Sequence, residues 1–514
     1  MIEFKDQHVL ILGLGASGLA MARWCARQGA NVTVADTRAA PPQLSTLRAE
    51  FAQVNFIAGA FTPGLVEGTQ VRMVLRSPGL SPAEIAPVAN AAHASGLWLG
   101  GELDLFFEGL QALKTSQSYE PKVLAITGTN GKTTVTSLTT QLVARAGKSV
   151  AMAGNIGPTL LDTLSEHLAA DSLPEVWVLE LSSFQLDGVK NFEPTAATVL
   201  NVTQDHLDWH GTVQNYADAK ARIFGSTGLM LLNRDDAAVM SMLPPAAKGK
   251  AFQAAVLREH VTFGATLPLR PGDYGIENVN GMTWLVRAQE ADETIKKRRN
   301  SVEEEVFIQR LMPADALRIR GRHNATNALA ALALAQAAGC TLAPMLYGLR
   351  EYRGEPHRVE SVAIINGVEY FDDSKGTNVG ATVAALLGLG EADEGGVSAR
   401  KLIVILGGDG KGQDFSPLAA PVGRHARAVV LIGRDAALIR TALQGTGVPM
   451  FDASDMAQAV ALSNQHAHSS DAVLLSPACA SLDMFDNYEH RARVFCEAVR
   501  VLADDAGVMD GGLA

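Results

Sequence analysis

Nine consecutive residues, Ile126-Thr127-Gly128-Thr129-Asn130-Gly131-Lys132-Thr133-Thr134, carry the groups that binding a nucleoside triphosphate demands. They follow an apolar strand and precede a helical pattern. Gly128 and Gly131 let backbone N–H groups, including those of Thr129 and Asn130, converge on phosphate oxygens, and the helix start adds a positive dipole end. Lys132 can neutralise charge on the β- and γ-phosphates, and the Thr133 hydroxyl can hold Mg²⁺, with Thr134 beside it. The usual loop reads GxxxxGK[ST], but Ile126 stands where its first glycine would be, so GTNGKTT is a shorter variant. The competing reading is an ordinary strand-to-helix turn with an exposed lysine.

Further candidates lie downstream and upstream of this loop. The run Val176-Trp177-Val178-Leu179-Glu180 places one carboxylate near the end of a buried-type strand. A lone charge there is costly unless it is paired or bound to metal. A second apolar run, 195–202, leads into Thr203-Gln204-Asp205-His206, whose polar end belongs at the carboxyl edge of a sheet, where ligands bind in open α/β folds. On its own, His206 is as readily structural as a ligand. Near the N-terminus, Gly13-Leu14-Gly15-Ala16-Ser17-Gly18 is a complete GxGxxG after a strand, with Asp36 eighteen residues beyond Gly18. Alone it suggests a dinucleotide, yet its physics asks only for a diphosphate near a helix N-terminus, which UDP also carries.

Such groups need elements to hold them. Three times an apolar strand runs into a glycine turn and then a helical pattern: Val9–Leu12 into Gly13, Val123–Ile126 into Gly128, and Leu402–Leu406 into Gly407 and Gly408. Short apolar strands alternating with helices predict an α/β fold with parallel sheets covered on both faces. Three such openings in 514 residues predict three domains. We place the boundaries near Gly100-Gly101 and Arg353-Gly354, giving domains 1–101, 102–354 and 355–514. The stretch 114–121 reads as a linker, and 291–305 and 388–400 as surface insertions.

Composition bounds the function. Hydrophobic residues make up 47% and charged residues 19%, which suits a folded chain. The net charge of −11 makes nucleic acid an unsuitable partner. The opening residues have acids where a secretion signal needs a basic region, and the longest alanine-leucine stretch, 328–339, is too short to span a membrane. Four cysteines without a CxxC pair suit a reducing compartment. A cytoplasmic protein is expected.

GTNGKTT is one of an ordered series: LELSSFQL (179–186), NVTQDHLD (201–208), YADAK (216–220), GRHNATN (321–327), PHR (356–358), DDSKGTN (372–378), LGGDGK (406–411) and SPACASLD (476–483). Across nearly the whole chain this resembles the Mur ligases of peptidoglycan synthesis. The resemblance implies an N-terminal Rossmann-like domain holding UDP, a central P-loop ATPase with a parallel sheet, and a C-terminal Rossmann-like domain that binds an amino acid and closes over ATP; a hinge near Gly354 would permit that closure. It implies ATP as substrate, two magnesium ions, and a monomer. Lys132, Glu180, His206 and Lys220 would be catalytic, with Thr133, Glu180, His206 and a carbamylated Lys220 at the metal. Locally, Lys220 reads instead as part of an exposed helix.

The remaining assignments follow the same resemblance. Asn324, Asn327, Arg358, Asp373 and Lys411 would join the phosphate loop in binding ATP. Gly15, Ser17, Asp36, Thr37, Arg38, Ser77, Gly79, Asn155, Ser182 and Gln185 would bind the UDP substrate. Lys375, Thr377, Ser481, Leu482 and Tyr488 would hold the acceptor amino acid, and a dianionic acceptor needs such a cation with N–H and O–H donors. The diaminopimelate-adding relatives carry DNPR. The nearest string here is Asp486-Asn487-Tyr488-Glu489, which favours D-glutamate added to UDP-N-acetylmuramoyl-L-alanine. Competing readings are another Mur or folylpolyglutamate-type ligase, a nicotinamide-dependent dehydrogenase, and a GTPase, for which an NKxD motif is missing.

Overall fold

The computed structural model of this chain describes residues 4–245, 258–291, 306–319, 321–390 and 400–507. It divides into two compact units, one drawn from Met1–Val202, His206–Phe263 and Ala330–Gly348, the other from Thr203–Asp205, Gly264–Leu329 and Leu349–Ala514.

The first unit holds two sheets. Strands β1 (His8–Leu12), β2 (Asn31–Asp36), β3 (Asn55–Ala58), β4 (Val71–Arg76) and β5 (Trp98–Gly100) are all parallel, in the order β3-β2-β1-β4-β5. Strands β6 (Lys122–Thr127), β7 (Val150–Gly154), β8 (Val176–Glu180), β9 (Ala196–Val199), β10 (Leu229–Asn233) and β11 (His260–Phe263) form a second parallel sheet, ordered β11-β10-β9-β6-β8-β7. Their apolar runs are unbroken because a parallel sheet is covered on both faces; Val123–Ile126 and Val176–Leu179 are all buried. In each sheet the strand order reverses beside one strand, β1 in the first and β6 in the second. A ligand crevice opens at the carboxyl end of such a strand. Gly13 and Gly128 follow those two strands.

The second unit also holds two sheets. Strands β12 (Tyr274–Val279), β13 (Met282–Glu290) and β14 (Val306–Pro313) are antiparallel. Strands β15 (Glu360–Ile365), β16 (Val368–Asp372), β17 (Leu402–Gly407), β18 (Ala426–Ile432), β19 (Met450–Asp452) and β20 (Ala472–Leu475) follow the order β15-β16-β20-β17-β18-β19. All of these pair in parallel except β15, which runs antiparallel to β16.

The α/β fold is as expected, and four local expectations need correction. The antiparallel sheet β12–β14 and the antiparallel edge β15 were not anticipated. Both hairpins turn on Asn-Gly, Asn280-Gly281 and Asn366-Gly367, with positive φ at all four residues, the geometry that matches strand twist. The strand expected over 195–202 stops at Val199, and the polar residues after it form a loop. Part of the expected linker is helical, since the helix Glu102–Gln117 runs through Lys114. The third glycine turn, at Gly407-Gly408, leads into an irregular loop rather than straight into a helix; the next helix is Ala419–His425. The expected insertions fall largely outside the described residues. No helix among the described residues is long and apolar enough to cross a membrane.

Candidate active site

The phosphate loop is shaped by its glycines and tied to the strand beside it. Gly128 has φ 156° and Gly131 has φ 83°, and Gly131 caps the helix Lys132–Arg145. A Cβ on Gly128 would meet the Leu200 Cβ at 3.0 Å. The residues just after β9 hold the loop in place: Asn201 accepts from Thr129 N–H (2.9 Å) at its carbonyl and from Asn130 N–H (2.8 Å) at its side chain, and its amide donates to the Asn130 carbonyl (3.1 Å). Sequence reasoning did not single out Asn201, although it opens the NVTQDHLD string.

Two lysines converge on this loop. The Lys132 ammonium donates to the carbonyls of Gly128 (2.9 Å) and Thr129 (2.8 Å). Lys220, on the helix Val213–Ala221, donates to the Gly128 carbonyl (2.9 Å) and the Thr127 hydroxyl (3.3 Å), with its ammonium 4.4 Å from the centre of the Tyr216 ring. Only 1% of Lys220 is exposed, so the local reading of an exposed helix is overturned. The alternation of that helix hides a buried face behind a polar sequence. Thr133 and Thr134 are also buried, in its first turn, by the helix that follows the loop.

Glu180 ends β8, the strand next to β6. Gly154 permits the close approach of β7, since a Cβ there would lie 2.2 Å from the Glu180 carbonyl oxygen. The Glu180 Oε1 accepts from the Asn155 amide at 2.9 Å, while Oε2 is buried without a hydrogen-bond partner among the described residues. An unpartnered carboxylate oxygen at the end of a strand is a hard oxygen donor of the kind that magnesium takes. His206 takes a left-handed backbone (φ 52°) at the head of the short helix Leu207–His210, and its ring lies 4.7 Å from Phe184 and 6.3 Å from Tyr216. Ser182 and Gln185 bind each other reciprocally as the cap of the turn after β8.

The N-terminal glycine loop is built differently. A Cβ on Gly18 would fall 2.1 Å from the Gly13 carbonyl oxygen, so only glycine lets the helix Ala16–Arg27 start so close to β1. Asp36 ends β2 and accepts from Leu14 N–H (2.8 Å), Arg38 N–H (2.9 Å) and the Arg38 guanidinium (2.8 Å). Burial raises its pKa, but these bonds overcome that and hold it down at about 2. Both carboxylate oxygens are thus engaged within the loop, which argues against the ribose-binding role a nicotinamide site would give it. Ser77 is buried beside Gly15, while Thr37 and Arg38 are exposed. Gly79 has open space where a side chain would be. An acid that the sequence reading passed over, Glu102, lies near Ser17; burial pushes it up to about 7.

In the second unit, Asp373, Lys375 and Thr377 follow β16, and Ser481 and Leu482 lie in the segment after β20. Asp373 is buried and accepts from the Ser476 hydroxyl at 2.6 Å; burial pushes it up to about 7, with Ser476 and Arg358 pulling the other way. The Lys375 ammonium stands 5.0 Å from the centre of the Tyr488 ring. Ser481 is buried, Thr377 is half-buried and Leu482 is exposed. An antiparallel bridge between Asp409 and Ala480 joins the Lys411 loop to the Ser481 segment. Lys411 is exposed at φ 50°. Arg491, not anticipated, is fully buried and donates to the carbonyls of Ser374 (2.7 Å) and Cys479 (3.1 Å), so it braces the two strings that carry Lys375 and Ser481. Asn324 and Asn327 sit one turn apart on the helix Arg322–Ala337, bonded at 3.2 Å.

Known proteins share these features. The chain matches the models of the MurD-like N-terminal domain over residues 7–99, the Mur ligase middle domain over 126–264, and the Mur ligase glutamate ligase domain over 357–479. It belongs to the Mur ligase family, three-domain α/β enzymes that use ATP. Among similar relatives, proteins named UDP-N-acetylmuramoylalanine–D-glutamate ligase come from Albidiferax ferrireducens (68% identical, covering 100% of both chains), Polaromonas sp. (60%, covering 99% of this chain and 100% of that one) and Burkholderia cenocepacia (56%, covering 97% and 98%). Solved structures share the fold: the UDP-N-acetylmuramate-alanine ligase MurC of Thermotoga maritima (TM-score 0.53, 19% identical, covering 97% of this chain and 100% of that one), and the MurF ligase of the same organism in complex with ADP (0.54, 16%, covering 97% and 96%).

Proposed function

We propose that this chain is an ATP-dependent ligase of the cytoplasm that adds D-glutamate to UDP-N-acetylmuramoyl-L-alanine in the building of peptidoglycan precursors. The observation that carries the ATP chemistry is the convergence of Lys132, Lys220 and the unpartnered Glu180 oxygen on the carboxyl ends of β6 and β8. The naming of relatives up to 68% identical over the whole chain supports D-glutamate as the acceptor.

In this reading Gly128–Thr134 cradle ATP, and Asn324, Asn327, Arg358, Asp373 and Lys411 are the further nucleotide-binding residues that the family resemblance implies. The Lys132 ammonium exchanges its two loop carbonyls for phosphate oxygens as the nucleotide enters. Thr133, Glu180, His206 and Lys220, the last as a carbamate, would hold two magnesium ions, which would supply charge to offset that on the transferring phosphoryl group. Gly13–Gly18, with Ser17, Thr37, Arg38 and Ser77, seat the UDP portion, and Asn155, Ser182 and Gln185 lie toward its reacting end. The L-alanyl carboxylate attacks the γ-phosphorus, the bond to the β,γ-bridging oxygen breaks, and ADP leaves an acyl phosphate behind. Lys375, Thr377, Ser481 and Tyr488 hold D-glutamate, whose amine attacks the acyl carbon; the tetrahedral intermediate then expels phosphate.

The test is phosphate release by the purified protein with ATP, magnesium, UDP-N-acetylmuramoyl-L-alanine and each amino acid in turn. Release that requires D-glutamate, with the matching product, is expected. Release that requires another acceptor would move the chain to a sister activity, and no release with any acceptor would overturn the ligase reading.

A further inference from the structure

We propose that the imidazole of His357, oriented by Asp372, takes the proton that the acceptor amine must lose before it attacks; this rests on the ligase reading above. An α-ammonium has no lone pair at neutral pH, so amide formation needs an acceptor within reach of the amino acid. His357 meets the geometric requirement. Its Nδ1 lies 2.7 Å from the Asp372 Oδ2, and Asp372 is fully buried, with its other oxygen bound by the Ser374 N–H (2.9 Å) and hydroxyl (2.5 Å). Nδ1 is thereby committed, which leaves Nε2 as the ring nitrogen outside that bond, on a side chain that keeps 28% of its exposure. A histidine fixed by a buried carboxylate at one nitrogen, with the other open, is the arrangement that general bases use.

The same residue forms a wall of the acceptor site. Its carbonyl accepts from the Lys375 N–H (3.2 Å), and its ring meets Tyr488 edge-on at 6.3 Å, the same ring that lies beneath the Lys375 ammonium. His357 also holds a left-handed backbone (φ 64°), kept there in part by the bond from its N–H to Glu360 (2.8 Å). Backbone strain of this kind costs energy and persists where the surroundings impose it. The charged groups acting on the ring are Asp372, Glu360 and Glu489, with the Lys375 ammonium on the Tyr488 ring that His357 also meets and Arg358 next in the chain. The Asp372 bond raises the imidazole pKa above its ordinary value against the opposing effect of burial. A base of that strength takes a proton more readily than a solvated histidine.

The protons balance. Nε2 of neutral His357 takes one proton from the ammonium, and the nitrogen lone pair forms the bond to the acyl carbon. The tetrahedral intermediate then breaks its bond to the phosphate oxygen, a second nitrogen-bound proton leaves with the phosphate, and the amide keeps the third. The imidazolium returns its proton to water after product leaves. Asp372 is a positioning residue throughout.

The experiment measures two half-reactions in the full chain. Acyl phosphate is trapped by borohydride reduction with ATP and UDP-N-acetylmuramoyl-L-alanine but no acceptor, and amide formation with D-glutamate is followed against pH. In His357→Asn, whose asparagine tolerates the left-handed backbone, trapping should be unchanged. The kcat for amide formation should drop about a hundredfold at neutral pH, with KM for D-glutamate within a few-fold. Its acid limb should be replaced by a continuous rise with pH. In Asp372→Asn the acid limb should move to lower pH, because the group that raises the imidazole pKa is neutralised. Equal loss of trapping and amide formation, a raised KM at unchanged kcat, or an acid limb that does not move in either variant would overturn the proposal. A wild-type protein that traps no acyl phosphate would instead overturn the ligase reading, and this proposal with it.

Discussion

Gly13–Gly18 and Gly128–Gly131 both follow a buried parallel strand at a reversal of strand order, and both lead into a helix, yet they are equipped for different work. The second draws two lysine ammonium groups onto its carbonyls and lies beside the unpartnered Glu180 oxygen. The first draws no lysine; its acids are Asp36, whose oxygens are spent on Leu14 and Arg38, and Glu102 near Ser17, whose Oε2 is buried without a hydrogen-bond partner among the described residues. Backbone geometry alone makes an anion seat in both cases. The side chains placed on that seat decide whether the anion is only held or is also made to react. A glycine motif read without its neighbouring charges therefore points to a phosphate and leaves the chemistry open.

The sharpest way to break this comparison is Lys132→Ala. Phosphate release should fall by about a thousandfold, since the lysine supplies charge to the phosphoryl group in transfer, while calorimetric affinity for UDP-N-acetylmuramoyl-L-alanine should hardly change. A variant that keeps a tenth of the wild-type rate would mean the two loops differ less than their charges suggest. Glu180→Gln should have a smaller effect, lowering release by about a hundredfold and raising the magnesium concentration needed for half-maximal rate. Loss of rate with an unshifted magnesium dependence would instead mark Glu180 as a packing residue.

The same contrast explains what could be read before the structure was known. The strands and both glycine loops announce themselves through unbroken apolar runs ending in glycine, because a strand buried on both faces allows little else. Lys220 could not be read that way. Its helix looks solvated, and only the packing of Val213–Ala221 against the phosphate loop shows that the ammonium is buried. Arg491 and His357 were equally hidden, since each acts through residues far away in the chain: Ser374 lies 117 positions from Arg491, and Asp372 lies 15 from His357. The two Asn-Gly hairpins are a different kind of omission. Their signal is present at Asn280-Gly281 and Asn366-Gly367, but the sequence reading attended only to strands that run into glycine turns and helices.

Asp36 offers the finest test of the comparison, because it asks what the N-terminal loop gains from an acid already satisfied. Its pKa in the folded chain is held at about 2, against an ordinary value of 3.8. A carboxylate depressed by folding adds stability that is fully present above its unfolded value and is lost as pH falls through the folded one. The difference amounts to about 2 kcal/mol, lost between about pH 4 and about pH 2. In Asp36→Asn, denaturant unfolding at neutral pH should show a loss of about that size, and the slope of stability against pH in the acid range should flatten. Affinity for UDP-N-acetylmuramoyl-L-alanine should weaken several-fold as well, since the Leu14 N–H loses the anion that aims it, whereas acyl-phosphate chemistry at saturating substrate should persist. Identical acid slopes in the two proteins would mean that Arg38 and Leu14 gain no more from Asp36 than they would from water, and that glycine geometry alone builds this loop.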